Sequence, residues 1–127
     1  MKTEKPTTKI IAGKYKGKVL ELPSLDVTRS SKSMLKESLF NVLQFDIIDK
    51  IFIESFAGSG SIGLEAISRG AKRAYFIELD RNSYQILLKN CKSIDMEKCQ
   101  TVQGNTFVQT PLFIDFLKNS QDEIVLY

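Results

Sequence analysis

The stretch ESFAGSGSIGLEAISRG, from Glu54 to Gly70, sets a carboxylate four residues ahead of a G-x-G-x-x-G pattern made by Gly58, Gly60 and Gly63. Glycines at that spacing, between a strand and a helix, turn the chain sharply and let backbone approach a ligand closely. In dinucleotide sites the same pattern cradles a pyrophosphate at a helix N-terminus. A carboxylate at Glu54 repels a pyrophosphate and attracts an ammonium group or a sugar hydroxyl. S-adenosylmethionine offers an α-ammonium, a sulfonium, ribose hydroxyls and no phosphate, so the charge pattern favours it over a nicotinamide dinucleotide. A second acid, Glu78, lies 20 residues beyond Gly58, where a carboxylate accepts from both ribose hydroxyls. That feature is common to both cofactors. Leu79 is placed to pack on an adenine face. Asn105, within Gly104-Asn105-Thr106, offers an amide that accepts from an exocyclic amine and donates to a ring nitrogen. Phe56, Ala57 and Ser59 complete the candidate loop. Each polar group has a plainer reading as well. Glu54 reads as a solvated strand-end acid, Glu78 as an ion-pair partner of Arg73 or Arg81, and Asn105 as the first residue of an Asx turn.

These residues need elements to hold them, and from Ile51 onward the sequence alternates strand, turn and helix. IFIES is a short apolar strand, and the glycine loop leads into a helix over about Ser61–Arg69, stopped by Gly70. RAYFIE is a second strand. The helix after it carries Tyr84, Leu87, Leu88 and Cys91 on one face, with Asp80 as its cap. CQTVQ is a third strand, PLFIDFLKNS a helix with Pro111 in its first turn, and EIVLY a fourth strand. Such alternation predicts an α/β fold with a parallel sheet and right-handed crossovers. Ahead of it, Lys9–Pro23 reads as a β-hairpin around Gly-Lys-Tyr-Lys-Gly, and SLDVTRSS as a loop. A helix follows, capped by Ser31 or Ser33, with Leu35, Leu39, Val42 and Leu43 inward. An apolar final strand with no covering helix leaves one sheet edge bare.

Residues 1–36 carry nine Lys/Arg against three acids, a net +6, and residues 37–127 carry nine against twelve, a net −3. A basic arm on a mildly acidic body points to a polyanion. Lys14, Lys16, Lys18, Arg29 and Lys32 are the candidate phosphate contacts, with Tyr15 a candidate stacking ring. The plainer reading is a solvated tail. The chain has no histidine, which removes imidazole-based acid–base and nucleophilic mechanisms. Cys91 and Cys99 form no C-x-x-C pair, so no metal set is expected and a reducing cytoplasm suits them. No segment is apolar over the length of a membrane span. The polar start MKTEKPTTK lacks the apolar core of a signal peptide.

The chain resembles the class I S-adenosylmethionine-dependent methyltransferases, and within them the RsmD-type small-subunit rRNA guanine-N2 methyltransferases. The stretches IIAGKYKGKVLELP, TRSSKSMLKESLFNVL and ESFAGSGSIGLEAISRGAKRAYFIELDRNS carry the resemblance, in the family's order, between Ile10 and Ser83. It implies a Rossmann-like domain behind a small hairpin. It also implies methyl transfer, without a metal, to a guanine amino group of 16S rRNA during assembly of the small ribosomal subunit. Gly58, Gly60 and Gly63 match the cofactor loop and Glu78 the ribose acid. Glu54 and Asn105 each stand where Asp is common, Ser30 replaces a common proline, and Ser33 and Met34 replace a common Asp-Arg pair. The family's catalytic Asp/Asn-Pro-Pro-Tyr/Phe follows the fourth strand. EIVLY ends at Tyr127, and no Asp-Pro-Pro or Asn-Pro-Pro occurs in the 127 residues. The resemblance therefore implies a cofactor-binding fragment, inactive by itself, whose catalytic groups follow Tyr127. Residues 1–45 would form the basic hairpin and helix, and residues 46–127 the first part of the cofactor domain. The rival readings are a DNA methyltransferase of the same fold, an NAD-dependent oxidoreductase, and an RNA-binding module without catalysis.

Overall fold

The computed structural model describes residues 6–23, 29–118 and 120–127, with the side chains of residues 29–35, 44 and 45 outside that description. Strands β1 (Thr7–Lys9) and β2 (Val19–Glu21) form an antiparallel ladder. Helix α1 (Arg29–Leu43) runs into a 3-10 turn, Gln44–Ile47. Then come β3 (Ile51–Glu54), α2 (Ser61–Ser68), β4 (Arg73–Glu78), α3 (Arg81–Ile94), β5 (Cys99–Gln103), α4 (Thr106–Leu117) and β6 (Ile124–Leu126). The last four strands make one parallel sheet in the order β5-β4-β3-β6.

The apolar runs in β3 and β4 follow from helices on both faces of the sheet. Phe52, Ala74 and Phe76 point to one face, where they pack with Leu64 and Ile67 of α2 and Leu87 and Cys91 of α3. Ile51, Ile53 and Tyr75 point to the other, against Phe113 and Leu117 of α4. Tyr75 and Phe113 meet edge to face with centroids 4.9 Å apart. The chain steps outward from β3 to β5 and then crosses back, so β6 lies on the opposite flank of β3. Strand order reverses at β3, and in open α/β sheets the crevice at that reversal takes ligands. The glycine loop leaves β3 at this point.

Several expectations need correction. The hairpin lies two residues nearer the N-terminus than expected, with Thr7–Lys9 paired to Val19–Glu21 and residues 10–18 as its connection. Ile11 and Ala12 leave the ladder because their amides donate to the Glu65 carboxylate, at 2.8 and 3.1 Å. Helix α1 begins at Arg29, two residues before the expected cap at Ser31. Its inward face is Lys36 and Phe40, with Leu39 and Leu43 half-buried, while Val42 is exposed. Phe40 lies beside Phe52 and under the Arg69 guanidinium, 4.9 Å from its ring centroid. Helix α4 begins at Thr106 and holds Pro111 in its interior. The Asn105 side chain caps it by accepting from the Phe107 amide at 2.8 Å, so the helix starts five residues ahead of the proline.

Glu65 is the buried hub of this half of the molecule. It is fully buried and takes, besides the two arm amides, Arg69 Nε at 2.8 Å and Lys36 Nζ at 3.4 Å. Lys36 Nζ also donates to the Lys9 carbonyl at 3.0 Å. Burial pulls the Lys36 ammonium below the usual lysine range, and the Glu65 charge opposes that pull. Ser68 extends the grip, with its hydroxyl donating to the Ala12 carbonyl and accepting from the Tyr15 amide. Removing one partner of a buried ion pair leaves the other charge uncompensated, at a cost of about 3–5 kcal/mol. Glu65→Leu should lower the unfolding free energy by about that amount in a urea titration. A loss below about 1 kcal/mol would mean that this network does not hold the arm in place.

Candidate functional site

Strand β3 delivers Glu54 to the mouth of the glycine loop. Its carboxylate is buried, and Oε1 accepts from the Gly63 amide, in the first turn of α2, at 3.0 Å. A helix N-terminus presents unpartnered amides and partial positive charge, so this acid sits where the backbone field stabilises it. Gly58 and Gly60 have φ of 55° and 82°, in the left-handed region that side chains with a Cβ rarely enter. A Cβ on Gly60 would lie 2.5 Å from Leu87 Cδ1, and one on Gly63 would lie 2.3 Å from the Phe76 ring. Gly63 thus lets α2 close on the sheet, and Gly60 lets the loop close on α3. A Cβ on Gly58 would meet nothing within 4 Å, so the open side of the loop is at Gly58.

The Glu78 carboxylate ties this open turn to the end of β4. Oε1 accepts from the Gly58 amide at 2.7 Å and Oε2 from the Asp80 amide at 2.8 Å. Its oxygens thus meet backbone amides rather than Arg73 or Arg81. Each carboxylate oxygen has a second lone pair, so ribose hydroxyls can add to these bonds without displacing them. Asp80 caps α3, as expected, accepting from the Ser83 amide at 2.9 Å, and the Ser83 donors hold its carboxyl below the usual range.

Three clefts meet at Phe56, and two of them hold the candidate residues. The first, of about 140 Å³, is lined by Ser55, Phe56, Ile77, Glu78, Leu79, Gly104, Asn105, Thr106 and Phe107. The second, of about 200 Å³, is lined by Glu54, Phe56, Ala57, Ser59, Ser61, Ile62 and Tyr127. The fold thus gathers Glu54, Phe56, Ala57, Ser59, Glu78, Leu79 and Asn105 around one crevice, while Gly60 and Gly63 turn toward the core. Leu79 is largely exposed beside its cleft. Asn105 serves both readings, since it caps α4 and lines the first cleft. Phe107 is an addition to the candidate residues. It meets Phe56 edge to face with centroids 6.1 Å apart, and both rings are mostly exposed. A start of α4 at Pro111 hides it; an Asn followed by Thr-Phe after a strand is the available signal.

The candidate nucleic-acid contacts lie elsewhere. Lys14, Lys16 and Lys18 are exposed in the hairpin connection. That connection is held at the C-terminal end of α2, where the Lys14 amide donates to the Ser68 carbonyl at 2.8 Å. The glycine loop is at the other end of this eight-residue helix, about 12 Å away along its axis. Tyr15 is partly buried against the core, and Lys14 Nζ lies 5.4 Å from its ring centroid, so a stacked base would compete with that lysine. The side chains of Arg29 and Lys32 lie outside the described residues.

Among the described residues, no helix is long and apolar enough to cross a membrane, and no group of three metal-ligating side chains occurs. A family model described as conserved hypothetical protein 95 matches residues 8–122. Ribosomal RNA small subunit methyltransferase D of Haemophilus influenzae is 38% identical over 119 residues, covering 94% of this chain and 59% of that protein. The solved yhhF protein of Escherichia coli has a TM-score of 0.73 at 36% identity, covering 82% of this chain and 57% of its own. An RNA methyltransferase from Salinibacter ruber, in complex with S-adenosyl-L-homocysteine, shares the fold with a TM-score of 0.52 at 22% identity, covering 58% of this chain and 48% of its own. The chain therefore spans 59% and 57% of the first two relatives. With its Rossmann-like sheet, its glycine loop at the strand-order reversal and a match over nearly its whole length, the chain belongs to the conserved hypothetical protein 95 family, the RsmD family of class I methyltransferases.

Proposed function

We propose that this chain supplies the S-adenosylmethionine-binding part of an enzyme that methylates a guanine amino group of 16S rRNA, on the small ribosomal subunit or an assembly intermediate of it. The observation that carries the reading is the Glu54 carboxylate at the N-terminus of α2. A pyrophosphate bound in the dinucleotide manner would stand against that buried charge, whereas the α-ammonium of S-adenosylmethionine is drawn toward it. The open face of Gly58 and the spare acceptor capacity of Glu78 fit an adenosine ribose. Support for an RNA substrate comes from the Haemophilus influenzae relative, which is named for the small ribosomal subunit.

S-adenosylmethionine supplies a methyl group on a sulfonium, open to in-line displacement by an amine. The chain's own residues bind and orient. Glu78 would hold the ribose, Leu79 and Phe107 would flank the adenine, and Asn105 would read its edge through the amide nitrogen left over from capping. Glu54 and Ser59 face the methionine end, and Phe56 separates the two clefts. The target guanine must leave its stack to reach the methyl group. The groups that would orient it belong to the Asp/Asn-Pro-Pro motif that residues 1–127 lack.

Three outcomes test this reading. Glu78→Ala should raise the calorimetric Kd for S-adenosylhomocysteine about tenfold to a hundredfold, the range for losing hydrogen bonds to a charged acceptor. Unchanged affinity would remove Glu78 from the ribose. Replacing Lys14, Lys16 and Lys18 by Ala should flatten the slope of log K against log salt for a 16S rRNA fragment by about 2, at about 0.7 for each phosphate no longer neutralised. An unaltered slope would leave the hairpin connection as solvated surface. Residues 1–127 alone should transfer no labelled methyl from S-adenosylmethionine to undermethylated small subunits, because positioning accounts for about 7–11 kcal/mol in well-oriented reactions. Measurable transfer would place the orienting groups within these residues.

A further inference from the structure

We infer that Asn90 is a positioning residue that joins the N-terminal hairpin to the cofactor loop, so that the occupancy of one is felt at the other. The inference rests on the reading of the glycine loop as the cofactor site and the hairpin as part of the nucleic-acid surface.

Asn90 sits on α3, a helix that supplies no lining to either cleft, and it is almost fully buried. Nδ2 donates to the Ser59 carbonyl in the glycine loop at 2.9 Å and to the Glu21 carbonyl at the end of β2 at 2.9 Å. Oδ1 accepts from the Glu21 amide at 3.0 Å. One side-chain amide therefore pairs with the backbone of two segments 38 residues apart in sequence, Glu21 and Ser59. Buried polar atoms without partners are costly, so the loop carbonyl and the Glu21 backbone are tied together through this amide. A side-chain ion pair adds to the clasp: Lys89 Nζ donates to the Glu21 carboxylate at 2.8 Å.

This arrangement bears on ligand binding. The left-handed turn at Gly58 and Gly60 brackets Ser59, and the Ser59 carbonyl shares its peptide plane with the Gly60 amide, which donates to the Ala57 carbonyl at 2.8 Å, so moving that carbonyl disturbs the turn. Shifting β2 moves the Asn90 amide, and the Ser59 carbonyl must follow or lose its donor. A hairpin held firmly by RNA thus narrows the loop to the conformation that Asn90 supports. Binding free energies are linked reciprocally, so RNA and cofactor should each tighten the other.

The test is a linkage measurement on the full-length protein. The Kd for S-adenosylhomocysteine is measured by calorimetry with and without a saturating 16S rRNA fragment, in wild type, Asn90→Ala and Tyr84→Phe. Tyr84, on the same helix as Asn90, shares a hydroxyl hydrogen bond with Thr101 of β5, so its loss controls for general loosening of α3. RNA should tighten cofactor binding by about fivefold or more in wild type and in Tyr84→Phe, the low end of ordinary coupling. In Asn90→Ala that ratio should fall to near one. If Asn90→Ala does not fold, Asn90→Asp replaces it, since it keeps the acceptor for the Glu21 amide and loses both donated bonds. A ratio near one in wild type, or a ratio retained in the Asn90 variant, overturns the inference while the cofactor reading stands. Absence of S-adenosylhomocysteine binding to wild type overturns both.

Discussion

In the Rossmann-like arrangement the first helix after the glycine loop begins with unpaired amides that face the ligand. Here the Glu54 carboxylate accepts one of those amides from within the chain, in a buried setting. The carboxylate lies in the field of that helix end and occupies one of its amides, which lowers its capacity for a second anion. The rest of the site follows from that constraint. A ligand must approach through the open face of Gly58, must do without a pyrophosphate, and gains if it brings positive charge toward Glu54. On the proposed reading, one side chain turns a geometry that would suit a dinucleotide toward a different cofactor.

Glu54, Glu65 and Glu78 show the same device used three times. Each carboxylate accepts at least one backbone amide from outside its own element, and each fixes something different. Glu54 anchors the start of α2, Glu78 holds the open turn at Gly58 against the end of β4, and Glu65 clasps the hairpin connection. Hydrogen bonds to a charged acceptor are worth more than neutral ones, and amides in irregular turns or in the first turn of a helix have no ladder or helix partner to compete. The site is thus positioned by acids on regular elements that reach into loops. Helix α2 carries two such fixtures, the glycine loop at its start and the basic connection at its end, so it sets the spacing between the crevice at Phe56 and the exposed lysines.

Much of the architecture is legible in the sequence because local signals agree. Between Ile51 and Gln103, apolar runs, glycine turns and the Asp80 cap all point to the same alternation, and the structure follows it closely. The misreadings arise where a tertiary contact overrides a local rule. Lys36 is buried because Glu65 meets it, which turns α1 so that Phe40 faces the core and Val42 faces solvent. The hairpin ladder is cut short because Glu65 competes for its amides. Pro111 suggests a helix start, but the Asn105 cap supplies one earlier in the chain. The candidate acids are legible by type and spacing, while their backbone partners are not, because those partners depend on where loops fold back. Glu65 leaves one signal, a carboxylate within an otherwise apolar helix and four residues before Arg69.

The central claim is that the crevice at the β3 reversal accepts an adenosine cofactor without a pyrophosphate. Amide chemical shifts report it most directly, with an isotope-labelled sample titrated in parallel with S-adenosylhomocysteine and with NADH. Saturable shifts at Gly58, Leu79 and Asn105 with S-adenosylhomocysteine, and none with NADH, are the predicted result. Shifts at the same amides with NADH alone would contradict the account and return the glycine loop to a dinucleotide role.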